Sequence, residues 1–61
     1  MRLREAKKLK PGDRILFRGM ETGEEYTGEI VAEWRPGEYE IRTDYGHIII
    51  RRYDEIRRGE A

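Results

Sequence analysis

The chain has 61 residues, with 13 basic and 13 acidic side chains and a formal net charge of zero. A chain this short buries only about 60% of its unfolded surface, which suits one small domain and excludes a large enzyme with a deep pocket. There is no Cys for a disulfide or thiolate metal site, and no apolar run longer than Ile48-Ile49-Ile50 to suggest a membrane span or the apolar region of a signal peptide; the neutral balance argues against a domain held on nucleic acid by bulk charge.

Taken in chain order, residues 2–9 place Leu3, Ala6 and Leu9 at the spacing of one helical face, in a segment too short to hold without packing. Lys10-Pro11-Gly12-Asp13 reads as a tight turn. Residues 14–18 alternate, with Ile15 and Phe17 on one face, and form the first predicted strand. Residues 19–25 carry two glycines and no apolar period, the pattern of a long hairpin loop. The second strand is predicted over 26–35, with Gly28, Ile30, Ala32 and Trp34 on one face, and Gly28 marking a sharp bend or a close backbone approach. Pro36-Gly37 fits the central pair of a type II turn. Residues 39–43 and 47–51 give the third and fourth strands, joined through Asp44-Tyr45-Gly46, whose Gly suits a left-handed position. Residues 52–54 read as one helical turn and 55–57 as a short fifth strand.

Five short strands without an internal repeat predict an all-β domain spanning 1–61, a small barrel over 14–57 with a helical cover over 2–9. The predicted core is Ile15, Phe17, Gly28, Ile30, Ala32, Tyr39, Ile41, Ile48, Ile50 and Ile56, with Trp34 closing one end. Leu16, Val31 and Ile49 fall on the opposite face, where the helical segment is expected to cover part of the strip; a dimer contact is the alternative.

The chain also lacks Ser, Asn and Gln, and Arg outnumbers Lys as Glu outnumbers Asp, ten to three in each case. Hyperthermophile proteins shed thermolabile residues in this way, and computational design fills strand surfaces with Arg, Glu and Thr. The complete loss of Ser together with balanced charge favours design.

Gly12-Asp13-Arg14-Ile15, the run Tyr26 to Ile30, the run Tyr39 to His47 and Asp54-Glu55-Ile56-Arg57 resemble, in order and spacing, a Tudor domain, one of the Src-homology-3-like small barrels. The resemblance covers about three quarters of the chain and implies the barrel topology. It also implies an aromatic cage for a methylated Lys or Arg, held by the ring quadrupoles. On that pattern Tyr26 and Tyr45 take two cage positions, Gly19 and Arg42 replace two further ones without a ring, and His47 stands where the family carries a polar Asn.

The competing interpretations of these residues are packing for Tyr26 and Tyr45, and a solvent-facing strand position for His47. The long loop lacks the aromatics of polyproline-binding relatives. No nucleophile or phosphate-binding loop is present, so no enzyme, metal or cofactor is expected. Arg51, Arg52, Arg57 and Arg58 around Tyr53 form a candidate nucleic-acid patch. The net charge is +5 over residues 1–20 and −6 over 21–40, a division that cross-strand pairing of Arg14 and Arg18 with outward Glu29 and Glu33 explains as well. The sequence therefore predicts a monomeric designed scaffold with no natural ligand or partner. A Tudor-like module for a peptide or methylated side chain is the alternative, and an oligonucleotide-binding barrel the third reading.

Overall fold

Alternating Ile15 and Phe17 among charged neighbours start the first strand where the pattern predicts it. The computed structural model describes residues 2–19 and 21–59; Met1, Glu60, Ala61 and one position of the expected hairpin loop, Met20, lie outside the described residues. The elements are α1 (Leu3–Ala6), β1 (Arg14–Arg18), β2 (Glu25–Arg35), β3 (Glu38–Thr43), β4 (Ile48–Arg52), a 3-10 turn (Tyr53–Glu55) and β5 (Ile56–Arg58). All pairings are antiparallel and give one five-stranded sheet in the order β4-β3-β2-β1-β5. No ladder joins β4 to β5 among the described residues, so the sheet stays open there. It still rolls, because the Arg51 guanidinium on β4 lies 5.7 Å from the centre of the Phe17 ring on β1.

The buried face carries Ile15 and Phe17, Gly28 and Ile30, Tyr39, Ile41 and Thr43, and Ile56. Gly28 stands opposite Thr43 and Ile30 opposite Ile41, as one shared face requires. A Cβ on Gly28 would lie 2.8 Å from both the Arg42 carbonyl oxygen and Ile41 Cγ2, so this glycine permits the close backbone approach that the sequence suggested.

Beyond Ile30 the register slips, and Ala32 comes opposite Glu40 on the outer face. The extra residue, Val31, exchanges the faces of Ala32 and Glu33, and a second shift between Glu33 and Arg35 brings Arg35 opposite Glu38. The expected core positions of Ala32 and Trp34 are therefore wrong: Ala32 is exposed, and Trp34, at 54% exposure, closes no end. Glu33, expected to point outward, is exposed although it opposes buried Tyr39, and its carboxylate accepts the Gly37 N–H at 3.4 Å.

Strand β4 brings a second correction. Ile48 and Ile50 are exposed, whereas Ile49 opposes Ile41 and packs against the core. Three consecutive Ile residues have no period-two phase, so the hairpin alone decides which of them faces inward. The strand begins at Ile48, which leaves His47 in the turn.

The helix is shorter than residues 2–9 and covers a different surface from the one expected. Ala6 is fully buried in the core, and Leu9 packs against its edge. The buried Tyr39 hydroxyl donates to the Ala6 carbonyl at 2.8 Å, which ties α1 across the inner face instead of over Leu16 and Val31, both left half-buried. Burial, reinforced by the Glu33 carboxylate, holds the Tyr39 phenol above its ordinary pKa and so keeps it a donor. The Tyr53 N–H donates to the Gly37 carbonyl at 2.8 Å, joining the 3-10 turn to the β2–β3 turn at this same end.

Candidate functional site

The opposite end of the sheet, at the β1–β2 loop and the β3–β4 turn, carries a row of rings. Phe17 and Tyr26 face each other across β1 and β2, with ring centres 5.8 Å apart and planes 29° apart. Tyr26 meets Tyr45 edge-on at 5.7 Å, and Tyr45 meets His47 at 5.2 Å. The row runs outward from buried Phe17 through half-buried Tyr26 to Tyr45, which is 55% exposed.

Local chemistry fixes the outer rings. In the β3–β4 turn the Thr43 N–H donates to the His47 carbonyl at 2.7 Å, and the His47 N–H donates to the Thr43 hydroxyl at 2.9 Å. Asp44 anchors that turn to the sheet: its carboxylate accepts the Arg14 guanidinium at 2.7 Å and the Thr27 hydroxyl, while its N–H donates to the Thr27 carbonyl at 3.2 Å. These hydrogen bonds, that of Arg14 first, hold the Asp44 carboxyl below its ordinary pKa, and the same pairing raises Arg14. Tyr26 lies against Gly19, where a Cβ would come within 2.6 Å of its ring, and its hydroxyl donates to Glu24 at 3.4 Å.

Two open hollows share Phe17, Gly19 and Arg51. One, of about 480 Å³, lies under Tyr26 and Tyr45 with Glu21 and Thr22 at its border; the other, of about 500 Å³, runs past Glu25, Ile56 and Arg57 to the 3-10 turn. Aromatic walls with a few polar groups suit binding. Among the described residues no three His, Asp or Glu side chains converge to hold a metal ion.

Of the residues singled out from sequence, Tyr26, Tyr45 and His47 come together. Arg42 does not point at them, because its guanidinium pairs with Glu29 on the outer face. Of the four arginines at 51, 52, 57 and 58, Arg51 and Arg57 line the same hollow, and the others do not line it. Arg52 lies 3.5 Å from Asp54 and Arg58 3.9 Å from Asp13, Arg57 pairs with Glu25, and Arg51 faces inward. The expected outward pairs are also rearranged: Arg14 bonds Asp44, and Arg18 donates to the Gly23 carbonyl at 3.2 Å.

Sequence reasoning assigned Phe17 to the core alone and Arg51 to a basic surface. The missing signal was the register, which sets Arg51 opposite Tyr39. Comparison of the chain with protein-family models, with curated proteins and with solved structures gave no match.

Proposed function

We propose that this chain is a monomeric, non-catalytic binding module on a small barrel of the Src-homology-3/Tudor type, with the row Phe17, Tyr26, Tyr45 and His47 as its contact surface for a peptide. The barrel type is supported by five short antiparallel strands in one sheet, rolled until Arg51 reaches Phe17, with a 3-10 turn before the last strand. The observation that carries the binding reading is the outward continuation of the row. Tyr45 is 55% exposed, lies outside the core cluster, and is still held in place by the turn that Asp44 anchors. Exposed rings contiguous with an apolar floor offer ready contact area at low entropic cost, because each ring has few torsions to fix.

An amide NMR titration with methyl-lysine, methyl-arginine, proline-rich and acidic aromatic peptides tests this reading. Shifts confined to Gly19, Tyr26, Tyr45, His47 and their neighbours are expected for at least one peptide. A spectrum that none of them moves at millimolar concentration would overturn it.

A second reading, a designed scaffold without a ligand, is favoured by backbone regularity. Among the described residues every positive φ belongs to Gly, and no buried side-chain nitrogen or oxygen lacks a partner. That reading expects the flat titration together with a melting temperature above about 90 °C. A cooperative melt in the ordinary mesophile range would remove the idealisation argument.

A further inference from the structure

We infer that Arg51 is the specificity-determining residue of the aromatic groove, and that it selects an extended peptide segment in which a Glu or Asp side chain is flanked by aromatic residues. The inference rests on the binding reading of the same groove and goes further, to the charge of the ligand.

Strand β4 puts Arg51 opposite Tyr39, on the inward face. Such a position beside a buried Tyr and over a buried Phe favours an apolar residue, which would bury more area and leave no cation to solvate. A cation there breaks the packing pattern, and such breaks concentrate at functional sites.

Arg51 also differs from most of its neighbours in what it bonds. Arg14, Arg42, Arg52, Arg57 and Arg58 each have a carboxylate partner. Among the described residues Arg51 has none, and neither has Arg18 on the wall of the larger hollow, whose guanidinium instead donates to the Gly23 carbonyl. The Arg51 guanidinium donates to the carbonyl of adjacent Ile50 at 3.0 Å and lies over the Phe17 ring, half-buried, at the junction of the two hollows. The contact with Phe17 holds the planar fork in place, and its remaining donors match the two oxygens of a carboxylate.

Most of the acids near the groove are otherwise engaged. Glu25 pairs with Arg57, Asp54 with Arg52, Glu55 accepts the Arg52 N–H at 2.9 Å, and Glu24 accepts the Tyr26 hydroxyl. Glu21, at the border of the smaller hollow, has no such partner among the described residues and opposes an anion. A methylammonium group entering beside Phe17 would meet the guanidinium as a like charge, so the cation that the family resemblance implies is disfavoured. A carboxylate meets an unpaired Arg, and its aromatic neighbours meet Tyr26 and Tyr45.

The test is an NMR titration with three end-blocked peptides that differ only in their central residue: Phe-Glu-Phe, Phe-Gln-Phe and Phe-trimethyl-Lys-Phe, each extended by Gly on both sides. A separate titration uses oligothymidylate. The native protein is expected to bind the Glu peptide about tenfold tighter than the Gln peptide, with the Arg51 side-chain N–H moving along with Tyr26 and Tyr45. Arg51→Gln should make those two peptides equal, Arg51→Lys should keep part of the preference, and Glu21→Gln should tighten the Glu peptide.

Equal affinity for the Glu and Gln peptides in the native protein, or tightest binding of trimethyl-Lys, would overturn the role of Arg51 and leave the binding module standing. Tighter binding of oligothymidylate through the same rings would overturn it in favour of a nucleic acid. No shift with any probe would overturn both readings. The native comparison needs no variant, so it stands even if a substitution at Arg51 unfolds the chain.

Discussion

The two ends of the inner face are finished in opposite ways. Where β2 turns into β3, α1 and the 3-10 turn close the end. Ala6 and Tyr39 are almost fully buried there, and the Tyr39 hydroxyl is satisfied by the Ala6 carbonyl. At the end of the β1–β2 loop and β3–β4 turn, Phe17 is buried but Tyr26 and Tyr45 lead outward, and a guanidinium stands over the Phe17 ring. Both ends use aromatic residues with polar tips. A buried tip must find a partner inside, whereas an exposed one can keep water or take a ligand. The first end is thus built for stability, and the second retains surface that folding leaves unused.

Substitutions can break this contrast, and their effects fall in a definite order. Ile41→Ala, in the fully buried layer between the two ends, should lower the unfolding free energy by about 2–5 kcal/mol, read from the shift of a urea midpoint. Gly28→Val should cost about 1–3 kcal/mol, since its branched side chain starts where the Arg42 carbonyl already is; an unchanged melting temperature would contradict the pairing of β2 with β3. Tyr39→Phe removes the bond to the Ala6 carbonyl and should cost about 1 kcal/mol, with faster hydrogen exchange in α1 but not at the open end.

A pH titration probes the open end more gently. The Asp44 pKa is lower folded than unfolded, so its contribution is complete above the unfolded value, about 3.9, and is lost as pH falls through the lowered folded value. Stability of the native protein should therefore decline with acid more steeply than that of Asp44→Asn, measured by melting temperature between pH 5 and pH 2, pH values chosen to span roughly that window. Tyr45→Ala should have the smallest effect, within about 0.5 kcal/mol, while it abolishes ligand-induced shifts at Tyr26. If it destabilised the fold as much as Ile41→Ala, the open end would be core after all.

Much of the fold is legible in the residues themselves. Strand β1 alternates cleanly, Pro36-Gly37 turns the chain with φ of +82° at Gly37, and Gly28 announces a close approach. Strand β4 and the second half of β2 are harder for physical reasons. Ile48-Ile49-Ile50 satisfies either face, and a bulge at Val31 leaves no mark in a pattern that continues to alternate through Glu33 and Trp34. The candidate site divides along the same line. Tyr26, Tyr45 and His47 follow from the family resemblance, whereas the inward aim of Arg51 depends on a register that no local pattern encodes.

The sequence by itself therefore determined an all-β chain, its turns and the strands between them, because Gly, Pro and period-two alternation act over a few residues. Tertiary structure alone decided which Ile of β4 meets the core, that Trp34 stays outside, and that α1 closes the inner face. It also decided that Arg51 reaches Phe17 from the far side of the sheet. Those outcomes depend on register, bulge position and sheet curvature, which are set by how strands fit one another and not by any strand alone.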